Sequence, residues 1–156
     1  MSSINYISAV LFVKDISVSK DFYINIFKQE IQYDFGTNVM FKSGLTIWEL
    51  RKDHEIYNCY PNENMERTNK FEIYFETDDL DGIISSVESN SIEKLHEVKE
   101  EPWGQRTIRL FDPDGHMVEI AESMVSFVKR LSLLMSPKEV SSKTGLSIEQ
   151  IEQLIS

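Results

Sequence analysis

The chain has 156 residues, 41% of them hydrophobic, which is enough for one ordinary core or for two small modules sharing a sheet system. It has no run of about 18 apolar residues to span a membrane, and Met1 to Asn5 lacks the basic and apolar regions of a signal peptide. The formal net charge is −10, which disfavours a nucleic-acid partner for the main body, and the single cysteine, Cys59, cannot form an intrachain disulfide, which fits a compact cytoplasmic protein.

Tyr6 to Val13 alternates as a strand, and Lys14 to Ser17 leads into an amphipathic helix with Val18, Phe22, Tyr23, Ile26 and Phe27 on one side. Three further strands are predicted at Ile31 to Phe35, Val39 to Lys42 and Leu45 to Leu50, separated by the turn residues Phe35 to Asn38 and Ser43-Gly44. An irregular stretch from Lys52 to Asn69 holds His54, Tyr57 and Tyr60, and reads as a linker or a flap. The opening order then returns after 64 residues. Phe71 to Glu76 is a strand, Asp78 and Asp79 are N-cap candidates, and Leu80, Ile83, Ile84 and Val87 recur at helical spacing. Strands follow at Ile92 to Val98, Gln105 to Phe111 and Met117 to Ala121. The chain therefore reads as an α+β protein of two tandem βαβββ modules, residues 4–51 and 69–122, joined by a linker loop 52–68.

Residues 123–156 form a helical tail. Met124, Phe127, Val128, Leu131, Leu134 and Met135 make one apolar stripe. Ser136-Pro137-Lys138-Glu139 combines an N-cap, Pro at N1 and Glu at N3, Gly145 ends that helix, and Ser147 starts another. The pair resembles a helix-turn-helix. Its second helix carries Glu149 and Glu152 and no basic residue, so phosphate contact is disfavoured. Packing on a partner subunit or capping a sheet edge explains the apolar stripes better.

Asp112-Pro113-Asp114-Gly115 is a tight turn: proline presets φ, the aspartates can accept from nearby backbone NH groups, and glycine can take positive φ. Trp103-Gly104-Gln105-Arg106 precedes it, and Met117 and Glu119 follow on one face of a strand. Together these residues resemble the vicinal-oxygen-chelate superfamily of glyoxalases, ring-cleaving dioxygenases, and fosfomycin- and bleomycin-resistance proteins. The resemblance covers roughly residues 4–122. It implies that the two sheets curve around a shared cup that binds a small molecule, and that the protein is a homodimer.

In that superfamily the metal ligands come from the first and fourth strand of each module. The four positions fall here on Ser8, Glu49, Glu72 and Glu119, with Ser8 and Glu72 related by the repeat offset. The usual histidines are missing at the first and third. The resemblance therefore implies a divalent metal on Glu49, Glu72 and Glu119, a set suited to hard cations such as Mg²⁺ or Mn²⁺. Glu119 or Glu72 would serve as the base of a glyoxalase-type lyase or isomerase. Three carboxylates in a partly buried cup need a positive charge among them, which could equally be an arginine or a cationic ligand. Arg106 and Arg109 lie on one strand three positions apart and so point to opposite faces; only one can enter the cup.

The remaining candidates surround these positions. Tyr74 and Glu76 share the face of Glu72, His96 lies in a strand whose register leaves its direction open, and Trp103 can stand at the rim. Trp48 alternates away from Glu49 and is expected beneath a helix, and His116 is expected at the surface. The competing reading is a metal-free protein that sequesters a cationic or aromatic molecule, using the carboxylates for charge and Tyr74 and Trp103 for stacking. Bleomycin resistance is the precedent for it.

Overall fold

The computed structural model describes residues 6–53 and 71–156. It divides into two compact units: residues 1–67 with 112–115, and residues 68–111 with 116–156. His54, Tyr57, Tyr60, Cys59 and most of the expected 52–68 linker lie outside the described residues.

The first unit runs β1 (Ala9–Val13), α1 (Ile16–Asn25), β2 (Ile31–Asp34), β3 (Asn38–Phe41) and β4 (Leu45–Glu49). The strands form one sheet in the order β1-β4-β3-β2, with β1 parallel to β4 and the other pairs antiparallel. Alternation puts Leu11, Val13, Val39, Phe41, Leu45 and Ile47 on one face, where they are buried beneath Tyr23, Ile26 and Phe27. The Tyr23 and Phe41 rings lie 5.9 Å apart, centroid to centroid. Helix α1 starts where Asp15 accepts from the backbone NH of Ser17 and Val18, a side-chain cap on NH groups that no helical carbonyl reaches. The expected apolar side of this helix is narrower than its sequence: Val18 is half exposed, and Ser19 occupies a buried place instead.

The Asp112–Gly115 turn groups with this first unit. Asp112 accepts from the buried Tyr23 hydroxyl at 2.8 Å, and Asp114 accepts from the Lys14 backbone NH and the Ser19 hydroxyl, both at 2.9 Å. Gly115, at φ +86°, closes the turn with its NH on the Asp112 carbonyl.

The second unit repeats the pattern as β5 (Ile73–Thr77), α2 (Leu80–Ser89), β6 (Lys94–Glu100), β7 (Arg106–Phe111) and β8 (Met117–Glu122), in sheet order β5-β8-β7-β6. Ile108, Leu110, Val118 and Ile120 fill the face that helix α2 covers with Leu80 and Val87. Strand β6 starts two residues later than its sequence suggests. The Ile92 NH is spent on the Val87 carbonyl, and Ser91 takes φ +52°, so the chain leaves the helix before it can join the sheet.

The tail follows as α3 (Met124–Ser132), α4 (Pro137–Thr144) and α5 (Ile148–Ile155). Both of its later helices carry the capping box expected of them, on Ser136 with Glu139 and on Ser147 with Gln150, and Gly145 terminates α4 at φ +77°. Phe127, Val128, Leu131, Val140 and Ile151 form its core. Leu134 is not part of that stripe: α3 ends at Ser132, and Leu133 and Leu134 turn outward, 86% and 75% exposed.

Candidate functional site

The sheet face of the second unit that helix α2 leaves uncovered carries Tyr74, Glu76, Thr107, Arg109 and Glu119. Pairing opposes Glu119 to Tyr74 on β5 and to Arg109 on β7, so the three form a row across the sheet. Glu119 is nearly fully buried. Arg109 is ion-paired with it through Nη2, and donates to Glu72 Oε2 from Nε at 2.8 Å and to Glu101 Oε1 from Nη1 at 3.2 Å. One guanidinium thus faces three carboxylates, the fork geometry for which arginine is suited and lysine is not. Burial works against its charge, but the bonds to Glu72 and Glu101 outweigh that and hold Arg109 above its ordinary value. Burial likewise pushes the Glu101 carboxyl up, and Lys99, Arg109 and Thr107 together bring it below the usual range. His96 faces this cluster, with Nε2 3.5 Å from Arg109 Nη1 and Nδ1 2.7 Å from the Glu97 carbonyl, an arrangement that calls for the proton on Nδ1.

A second chain of hydrogen bonds borders the first. Trp103 Nε1 donates to Gln105 Oε1 at 3.0 Å, Gln105 Nε2 donates to the Tyr74 hydroxyl at 3.0 Å, and that hydroxyl donates to Glu76 at 2.9 Å. Gln105 is buried, whereas Tyr74 and Trp103 are 48% and 42% exposed. The two aromatic rings are therefore oriented from beneath while their surfaces stay open to a ligand. Burial raises the Tyr74 hydroxyl above its ordinary value; Gln105 opposes that shift and Glu76 adds to it.

Arg106, the other arginine of β7, turns to the opposite face. Its Nε bonds Glu122 at 2.8 Å and its Nη1 reaches Asp81 on helix α2 at 3.3 Å. Of the two arginines between which alternation left the choice open, Arg109 is thus the one that shares the face of Glu119.

The first unit corrects the expected metal position on its fourth strand. Glu49 shares the helix-covered face with Ile47 and accepts from the Ile16 NH at 3.0 Å, serving the first turn of α1. Since Val10 pairs with Thr46 as Tyr74 pairs with Glu119, the counterpart of Glu119 is Thr46. Thr46 hydrogen-bonds Ser8 at 2.6 Å between hydroxyls. Trp48 lies on this uncovered face too, half-buried beside Phe12 with ring centroids 6.1 Å apart, and not beneath the helix. His116 is half-buried, 6.4 Å from the Phe71 ring.

These residues do not fit a metal. Glu72 and Glu119 turn their oxygens to the Arg109 guanidinium, Glu49 is committed to helix α1, and Ser8 to Thr46. Among the described residues no group of three or more His, Cys, Asp or Glu side chains is placed to hold one. Sequence reasoning missed Glu101 and Gln105, although a glutamine beside Trp103-Gly104 at a strand start was the visible signal for the second of them.

The Glyoxalase-like domain family matches residues 6–125. No curated protein matches the sequence. Among solved structures, a protein of unknown function from Agrobacterium tumefaciens str. C58 is 31% identical, with a TM-score of 0.68 over 80% of this chain and 98% of that one. The fold is also similar to a lactoylglutathione lyase from Agrobacterium tumefaciens, at 22% identity and TM-score 0.57 over 78% of this chain and 96% of that one. It is similar as well to the fosfomycin resistance protein FosX from Listeria monocytogenes, at 20% and 0.58 over 80% of this chain and 95% of that one. With its two βαβββ sheets and a family match across most of its length, the chain belongs to the Glyoxalase-like domain family, within the vicinal-oxygen-chelate superfamily.

Proposed function

We propose that this protein binds a cationic aromatic small molecule without a metal, and that the uncovered sheet face of its second unit is the binding surface. The observation that carries this reading is Arg109. Its guanidinium stands between Glu72 and Glu119, two of the positions at which the superfamily would present ligands to a metal, and it brings Glu101 into the same cluster. Four carboxylates, Glu72, Glu76, Glu101 and Glu119, share this region with two cationic side chains, Arg109 and Lys99, so the surface keeps an acidic balance. Tyr74 and Trp103 supply exposed rings for stacking, and His96 adds a polar edge. Residues 4–122 form the binding domain in this reading, residues 123–156 are an appended tail, and the protein acts as a cytoplasmic homodimer.

That the fold serves both a lyase and a fosfomycin resistance protein among its structural neighbours supports a small molecule as the class of ligand, and its identity then rests on the side chains. The general base expected of Glu72 or Glu119 finds no support here, since both carboxylates are turned to the Arg109 guanidinium.

The test is calorimetric titration of chelator-treated protein with Mn²⁺, Mg²⁺, Ni²⁺ and Zn²⁺, next to fluorescence titration with a planar cationic dye and with a bleomycin-type glycopeptide. The expected result is no stoichiometric metal uptake, and dye or glycopeptide binding that weakens in Glu76→Gln and with added salt. Stoichiometric metal uptake that disappears in Glu72→Gln and Glu119→Gln would overturn the proposal.

A further inference from the structure

The geometry points to the C-terminal tail as the element that positions the ligand-facing turn, with Arg130 as the positioning residue. This inference rests on the binding surface proposed above. The turn of residues 101–105 joins β6 to β7 and contributes to both hydrogen-bonded clusters: Glu101 to Arg109, and Trp103 with Gln105 to Tyr74. Its own backbone closes it, through the Glu101 NH on the Gln105 carbonyl and the Gly104 NH on the Glu101 carbonyl, both at 2.8 Å.

Its position on the sheet is set from the tail. Arg130 on α3 donates from Nη2 to the Gly104 carbonyl at 2.6 Å and to Glu122 Oε2 at 2.8 Å, and from Nε to Glu122 Oε1 at 3.0 Å. Glu122 is the residue whose backbone carbonyl accepts from Gln105 Nε2 at 2.7 Å, and its carboxylate also takes the Arg106 NH at 3.0 Å. One guanidinium thus ties the carbonyl of the turn to the last residue of β8, on both sides of the buried glutamine that orients Trp103 and Tyr74. Packing closes the same contact. Gly104 sits at φ +100°, and a Cβ there would lie 2.8 Å from Leu131 Cδ1 and 2.9 Å from Lys143 Cε, so α3 and α4 press directly on the turn. Glu100, just before the turn, is bonded by Lys143 at 2.8 Å and by Arg130 at 3.3 Å.

A tail that served only to bury its own apolar stripe would need none of these contacts with the Gly104 carbonyl. The consequence is that the tail acts on ligand affinity through the placement of Trp103, although the tail lies outside the βαβββ repeat.

The experiment uses the full-length chain with Trp48→Phe, which leaves Trp103 as the sole tryptophan. Arg130→Met removes the grip on the turn, while Glu122 keeps Arg106, so its carboxylate is not stranded. Lys143→Met removes a bond to Glu100 without touching the Gly104 carbonyl, and Arg130→Lys restores a single donor. Acrylamide quenching of Trp103 reads the position of the turn with no ligand present, and far-ultraviolet circular dichroism reports whether the tail helices persist. The expected result is about a twofold rise in the quenching constant for Arg130→Met, partial return in Arg130→Lys, and a smaller rise in Lys143→Met than in Arg130→Met. Cationic dye binding should weaken about tenfold in Arg130→Met, the loss of one charged hydrogen bond transmitted to the site. Unchanged quenching in a helical Arg130→Met protein would overturn the inference. Wild-type protein that binds no dye yet shows the quenching change would refute the proposed function alone and leave the role of the tail intact.

Discussion

Replacing Arg109 with methionine removes the only cation bonded to Glu119 among the described residues while keeping most of the hydrophobic bulk of the side chain. The Glu119 side chain is 5% exposed and that of Arg109 20%, which makes this a largely desolvated pair. An exposed pair would be worth about 0–1 kcal/mol, whereas stripping the partner from a buried charge costs about 3–5 kcal/mol. The one-fifth exposure of Arg109 argues for the lower end, about 3 kcal/mol near neutral pH. At about 2–4 °C per kcal/mol for a chain of this size, the midpoint should fall by about 9 °C. Urea unfolding measures the free energy directly, and Arg109→Met should show an unchanged slope with a lower midpoint. Arg109→Met combined with Glu119→Leu should recover most of the loss, because the pair is then replaced by apolar side chains. A deficit below about 1 kcal/mol would refute the reasoning, since that is the value of an exposed pair.

Tyr23→Phe deletes the buried hydrogen bond to Asp112 and should cost about 2 kcal/mol in urea unfolding, the value for a bond to a charged group. Burial, followed by Asp112, holds the Tyr23 phenol well above its ordinary value; the stability it contributes is full below about pH 10 and declines as the pH rises toward the folded value, a decline absent from Tyr23→Phe. Burial pushes the Glu122 carboxyl up, but Arg130 and Arg106 bring it below the usual range. Its contribution is therefore present above about pH 4.3 and lost as the pH falls through the folded value, and Glu122→Gln should flatten that acid limb in thermal melts. Gly104→Ala should destabilise by about 3 kcal/mol, combining left-handed backbone strain with a clash against Leu131, whereas Gly36→Ala, at φ +83° with nothing within 4 Å, should cost only the strain of about 1 kcal/mol. Equal midpoints for these two variants would show that the tail does not press on the turn.

The sequence by itself determined what depends on neighbours a few residues apart. Alternating apolar residues mark the strands, Asp79, Ser136 and Ser147 cap helices in the structure, and the 64-residue repeat carries the tandem βαβββ order. Period two also separates Arg106 from Arg109 without saying which face a helix would cover. Only the tertiary structure decided that. It turned Arg106 toward helix α2 and Glu122, and Arg109 toward Glu72, Glu101 and Glu119. The same ambiguity misplaced Glu49 and Trp48: the alternation between them is correct, but its phase follows from which side α1 packs against, a contact between residues far apart in the chain. The link from Arg130 to Gly104 has no local signature, because it joins a helix outside the repeat to a turn 26 residues away through one backbone carbonyl, and no side-chain pattern records which carbonyl a folded chain leaves free.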